Sequence, residues 1–285
     1  MKHKRLFVKL ICIALCAAMV LPLSACGETK LSQREVYAMD TVMTLSAYGK
    51  KASQGLDTAE SIILSMDTAL DPELATSTVY AINHANGGST VVSGQIANML
   101  STAHTVYEQS EGALDLTIYP LYKRWGFLDG KYYVPTDAEI AEDLTRLCFN
   151  QLVLTQFPAS GSFSVTIPAT GELSFAAVAK GCAADNAIEA MRQAGVTSGI
   201  ISLGGNVQTL GLKPDGTNWN VAVQDPNNTA SYLGVVSVGE TAVVTSGSYQ
   251  RFFTDARGNS YHHIISPTSG YPVTNSLVSA TIICE

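Results

Sequence analysis

The sequence predicts an α+β fold: a single domain of mixed or antiparallel β-sheet with helices packed on it. Three observations lead there. Two long windows, residues 54–69 and the run after Ser93, carry apolar residues at helical spacing. Short β-rich runs crowd the last part of the chain, at Trp219 to Val223, Gly234 to Val238, Ala242 to Val244 and Ser279 to Cys284. No internal repeat, low-complexity segment or linker divides the 285 residues.

At the start, Lys2, Lys4 and Arg5 make a basic n-region, and Leu6 to Leu21 is apolar except for Lys9. Leu23-Ser24-Ala25-Cys26 places small residues at a cleavage site, so residues 1–25 are expected to be a signal peptide. The apolar run after Lys9 is short for a membrane span, which needs ~20 residues. Leu-Ser-Ala-Cys also resembles a bacterial lipobox, which implies a lipid-modified Cys26, a membrane-anchored, exported lipoprotein, and a location facing the periplasm or the cell exterior. Removing residues 1–25 takes away four positive charges and no acid, moving the net charge from −7 to −11. That surface argues against nucleic acid and anionic lipid as partners. An anionic dinucleotide remains open to it, held by a local patch or a helix N-terminus. Cys12 and Cys16 leave with the signal. Cys148, Cys182 and Cys284 are too widely spaced to read as a disulfide framework or a zinc site.

Residues 26–34 are polar and read as a tether, with the folded domain expected over 35–285. Val36 to Tyr48 is a strand region. Leu56, Ala59, Ile62, Ile63, Met66 and Leu70 form one face of a helix that Asp71-Pro72 ends. Asn86-Gly87-Gly88 is a turn. Ser93 caps a second helix with Ile96, Met99, Leu100, Ala103 and Val106 as its stripe, and Gly112 closes it. Thr136 and Glu139 form a capping pattern that opens a third helix to about Leu147. Leu152 to Leu154 and Phe163 to Ile167 read as a hairpin.

The most informative stretch runs from Leu173 to Gly211. A small-residue run delivers Lys180 and Gly181; a helix follows with Ala184, Ile188 and Met191 on one face; Gly195 stands where a left-handed cap belongs. A short strand, Gly199 to Leu203, then meets Gly204-Gly205. Such a pair marks either an ordinary tight turn or a place where a ligand approaches the backbone.

KG-x-x-x-D, a helix, and a strand ending in LGG resemble the central signature of the FAD:protein FMN transferases, the ApbE family. Three further blocks match in the family's order: GALDLTIYPLYKRWGF (Gly112 to Phe127), TSGSYQRFF (Thr245 to Phe253) and HIISPTSGYPV (His263 to Val273). The resemblance covers the chain from Met39 onward. It implies an enzyme that moves FMN from FAD to a Ser or Thr hydroxyl of an acceptor protein, releasing AMP, with Mg²⁺. It also implies roles for particular residues. Met39 would lie against the flavin, where the alternative is a core methionine. Ala113, Leu114 and Asp115 would contact FAD, where an isolated Asp after a helix otherwise reads as a solvated turn residue. Ser174, Lys180 and Ile264 would bind the cofactor, the Ala177 carbonyl would help hold the metal, and His263 or Asp185 would act as base. A histidine suits that task because its ordinary pKa is ~6.5.

The sequence departs from the family pattern in several places. Asp40 stands where glycine is usual, Leu114 where an aromatic is, and Ser174 and Ser266 where acids are. The family continues into a segment bearing an Asp and a Thr that complete the magnesium site, so the resemblance implies a C-terminally truncated domain. Two alternatives therefore stand beside transfer: a flavin-binding surface lipoprotein, and an FAD pyrophosphatase with little or no transferase activity.

Overall fold

The computed structural model describes residues 30–284. The expected signal segment 1–25 and Cys26 lie outside them. Strands β1 (Leu31–Ala38) and β2 (Thr41–Tyr48) form an antiparallel hairpin with Val36 opposite Met43. The expected tether therefore needs correction at its end: Leu31 to Arg34 pair with Leu45 to Tyr48 as strand. Their backbone groups complete the β2 ladder, and Arg34 Nη2 donates to Asp57 Oδ1 at 2.6 Å. Polarity alone hid them, since an edge strand shows mostly polar side chains.

Helix α1 (Ala52–Leu70) buries Leu56, Ala59, Ile63, Met66 and Leu70 of the predicted stripe, with Ile62 partly buried against them. Helix α2 (Thr78–Asn83) follows, capped by Ser77, whose Oγ accepts from Tyr80 N at 2.9 Å. After β3 (Ser89–Val92), Ser93 caps α3 (Gly94–Gln109) as expected. The left-handed residue closing α3 is Glu111 (φ 52°), with Gly112 (φ 83°) next. Glu111 N donates to Glu108 O and Gly112 N to Tyr107 O, satisfying two carbonyls of the last turn.

Helices α4 (Tyr119–Arg124) and α5 (Asp137–Leu144) come next, α5 with both halves of the Thr136–Glu139 capping box in place. Strands β4 (Val153–Phe157) and β5 (Ser162–Thr166) make the expected hairpin and join β3 in a three-stranded antiparallel sheet, order β3-β5-β4.

Helix α6 (Ala179–Gln193) ends in a Schellman motif: Gly195 (φ 89°) donates to Arg192 O and Val196 to Met191 O. Strands β6 (Gly199–Leu203) and β7 (Asn206–Leu210) follow, then the ribbon of β8 (Trp219–Asp225) and β9 (Asn228–Val238). Strand β10 (Ala242–Gly247), a small pair β11 (Phe252–Thr254) and β12 (Ser260–His262), and β13 (Ser279–Cys284) complete the described chain.

The main sheet is six-stranded and antiparallel throughout, order β1-β2-β6-β7-β10-β13. Met43, Leu45, Ile201 and Leu203 of its centre share a core with the α1 stripe and with Ala184, Ile188 and Met191 of α6. Each such aliphatic side chain, fully buried, stabilises the fold by roughly 1.5–3 kcal/mol. Trp125, Phe127, Leu121, Ile140 and Ile265 form a second, smaller core, lined by Phe253, Tyr261 and Tyr271. Trp125 Nε1 donates to Gly270 O at 2.9 Å, tying that core to the loop after β12.

Candidate functional site

Two hairpin turns meet at one end of the main sheet. Gly204 (φ 60°) and Gly205 (φ 93°) join β6 to β7, positive φ at both central residues being what a type I′ turn requires. A Cβ on Gly204 would stand 2.7 Å from Thr41 Oγ1, so the β1–β2 turn lies against it. That second turn is Met39 (φ 49°) and Asp40 (φ 57°), both left-handed without being glycine. Such residues persist only where neighbours hold them. Met39 N donates to Asp67 Oδ1 of α1 at 2.7 Å, and Asp40 O accepts from Arg251 Nη2 at 3.5 Å.

Helix α6 begins beside the Gly204–Gly205 turn: a Cβ on Gly181 would lie 3.7 Å from Asn206 Nδ2. No side chain caps α6. Val178 N and Ala179 N both donate to Phe175 O, but the N–H groups of Lys180 and Gly181 find no acceptor among the described residues. Uncapped N–H groups at the positive end of a helix dipole favour an anion. Lys180, in the first turn of α6, is half-buried and has no ion-pair partner among the described residues. Burial, and then the Arg251 charge, push it below the ordinary lysine value.

His263 completes the basic group. Its Nδ1–H donates to Arg251 O at 3.1 Å, which leaves Nε2 as the lone-pair nitrogen when the ring is neutral. Burial pushes its pKa down; the Arg251 main-chain contact opposes this, and the charges of Arg251 and Lys180 add to the depression. A neutral imidazole with one nitrogen oriented and the other free is suited to take a proton. Arg251, which the sequence reading passed over, thus links three parts of the site. Its only signal was its place in TSGSYQRFF. Its Nη1 donates to Tyr122 OH at 3.1 Å, and Nη2 pairs with Asp40 Oδ2 at 3.5 Å.

The remaining expected residues fall into a separate group or stand apart. Asp115 is buried and caps a short 3₁₀ turn, Leu116–Ile118: its Oδ1 accepts from Thr117 N at 2.7 Å and Thr117 Oγ1 at 2.6 Å. Burial raises its pKa, with the two Thr117 bonds pulling the other way. Leu116 O accepts from Ser174 N at 2.9 Å, joining this turn to the segment before α6. The Ser174 hydroxyl accepts from Ala176 N at 3.2 Å. Ala113 is exposed, and Leu114 packs on the main core. Ile264 is exposed beside His263, its carbonyl accepting from Val273 N at 2.9 Å. Asp185 is exposed and accepts from Gln208 Nε2 at 3.1 Å; none of its recorded bonds reaches Lys180 or His263.

The fit to a divalent cation is poor. A hard cation takes about six oxygen ligands, yet the described residues hold no cluster of three or more His, Cys, Asp or Glu side chains. Ala177 is an exposed residue whose carbonyl accepts no backbone bond among the described residues, and it offers a single ligand oxygen.

Comparison with known proteins follows the same lines. A model of the ApbE family matches residues 39–285. An FAD:protein FMN transferase of Klebsiella pneumoniae is 35% identical over 212 residues, covering 73% of this chain and 64% of that protein. The chain thus spans less than two thirds of that relative's length. A second relative, from Treponema pallidum and of the same name, is 29% identical over 265 residues, covering 87% of this chain and 73% of its own. Among solved structures, the ApbE protein of Thermotoga maritima superposes with a TM-score of 0.81 at 24% identity, covering 89% of this chain and 82% of that one. That likeness shows the fold.

Proposed function

We propose, since the chain belongs to the ApbE family, that it binds FAD and moves FMN from it to a Ser or Thr hydroxyl of an acceptor protein, releasing AMP. The observation that carries this reading is the uncapped start of α6 with Lys180, unpaired among the described residues, together with His263, whose Nδ1–H is held by Arg251 O and whose pKa burial pushes down. In the reaction the acceptor hydroxyl oxygen bonds to the FMN phosphorus, and the bond from that phosphorus to the bridging oxygen breaks. AMP leaves with that oxygen. His263 Nε2 takes the hydroxyl proton. Lys180 and the free N–H groups of α6 face the negative charge that builds on the phosphoryl oxygens. Met39, Ala113, Leu114, Asp115, Ser174 and Ile264 are the proposed flavin and nucleotide contacts.

Mg²⁺ comes with the family resemblance, but the described residues do not make its site, so no step is assigned to it. Export and lipid attachment at Cys26 belong to the same proposal and rest on residues 1–26 alone. The test is AMP formation from FAD by the full chain, with an acceptor protein carrying a Ser or Thr site, with and without Mg²⁺. AMP formed together with flavin covalently held on the acceptor supports transfer. AMP without flavinylated acceptor supports the pyrophosphatase reading. No change in flavin fluorescence at high micromolar FAD would defeat both.

A further inference from the structure

Arg251 faces two claims on its guanidinium. One is structural. The Met39–Asp40 turn holds two consecutive non-glycine residues at positive φ, 49° and 57°. Asp67 secures Met39 from one side, and Arg251 secures Asp40 from the other, through the carbonyl and the carboxylate, each at 3.5 Å. The other claim is electrostatic. Among the described residues Asp40 is the only carboxylate paired to the basic group of Lys180, Arg251 and His263.

We propose that Asp40 and Arg251 form a displaceable latch: through Asp40, Arg251 holds the turn that carries Met39, and a phosphate of the ligand takes the guanidinium from Asp40. This rests on the flavin-nucleotide reading above. Three features favour exchange over a permanent pair. The contact is long at 3.5 Å, against 2.6 Å for Arg34 and Asp57. The Asp40 side chain is 65% exposed, so water screens the pair. A phosphate offers more charge and a matching two-point geometry for a guanidinium. Arg251 keeps its Tyr122 contact and its carbonyl bond to His263 during such an exchange, because those use Nη1 and the main chain. Ligand arrival would thus loosen the turn bearing Met39 while leaving the base oriented.

Asp40→Asn is the decisive variant. Asn tolerates the left-handed region, so the turn keeps its shape while the competing charge goes. Binding of inorganic pyrophosphate and of FAD to the full chain is measured by calorimetry, alongside the melting temperature. The variant should bind pyrophosphate about two- to fivefold more tightly, the range an exposed ion pair spans. Arg251→Gln should weaken binding, and adding Asp40→Asn to it should give no further gain, since the carboxylate then has no partner to release. Equal or weaker pyrophosphate binding by Asp40→Asn overturns the latch, whether or not its melting temperature falls. If the wild-type chain binds neither FAD nor pyrophosphate, the latch fails together with the reading it rests on. If wild type binds both and Asp40→Asn matches it, the latch alone fails.

Discussion

Asp115 can be separated from a simple ligand contact by removing it in two steps. In Asp115→Ala the buried Thr117 N–H and hydroxyl both lose their acceptor, now at 2.7 and 2.6 Å. Thr117 Oγ1 itself accepts from Cys148 N at 2.9 Å, so its freedom to turn elsewhere is limited. A hydrogen bond to a charged group contributes about 1.5–3 kcal/mol net, and a lost cap about 1 kcal/mol. Burial of the carboxylate works against this, as its raised pKa shows. The expected loss is therefore about 2–4 kcal/mol, at the upper end of what point mutations do. Asp115→Asn keeps an acceptor oxygen and removes the buried charge, so its loss should stay under about 1 kcal/mol. The sign with pH is fixed by the direction of the shift. The folded carboxyl binds its proton more readily than the unfolded one, so the wild type loses stability as pH rises from the ordinary aspartate value through the raised one. Asn lacks that loss and should gain on wild type across the same window. Urea unfolding, read as midpoint and slope at several pH values, measures all of this. A wild-type midpoint in Asp115→Ala, or equal losses in Ala and Asn, would refute the capping argument.

Three other outcomes are expected. His263→Gln should lower the rate of AMP formation about 10²- to 10⁴-fold with little effect on FAD affinity; since the pKa of His263 is pushed down, the acid limb of the wild-type profile should lie below pH ~6.5 and vanish in the variant. Lys180→Met should weaken FAD binding about tenfold or more yet leave the unliganded chain as stable or more so, because burial and Arg251 both oppose the lysine charge; a melting temperature well below wild type would contradict this. Gly126→Ala should lose about 2–4 kcal/mol in the same urea assay, since φ is 76° and the new Cβ would run into the Lys131 carbonyl beneath the second core.

The longer helices were legible; α2 and α4 were not, although each buries part of its surface, because six residues are too few to show a helical period. The stripes of α1, α3 and α6 face a single core, so their spacing survives in the sequence, although Val106, expected in the α3 stripe, is exposed beyond the end of that core; Ser93 and Thr136 announce their helices because caps are local chemistry. The Met39–Asp40 turn was not legible. Its residues carry no Gly or Asn signal, and its shape is imposed by Asp67 and Arg251, both far off in sequence. Strands β11 and β12, three residues each, were missed because their pairing rests on packing beside Trp125. At the site, Lys180 and His263 stand out in the sequence as chemistry-bearing residues in matched blocks, and in the structure the charge of Arg251 acts on both. Arg251 does not stand out, since its partners Asp40, Tyr122 and His263 come together only in the fold.

The strand order of the main sheet also governs how the chain can reach this state. Strand β2 pairs at once with its neighbour β1, but its other edge waits for β6, where Met43 meets Leu203 about 160 residues later. Until β6 pairs, the β1–β2 hairpin has one open edge, and the apolar stripe of α1 has nothing of α6 to cover it. Assembly of the sheet centre is therefore a late, non-local event, and a partner that shields open strand edges should raise the yield of folded protein.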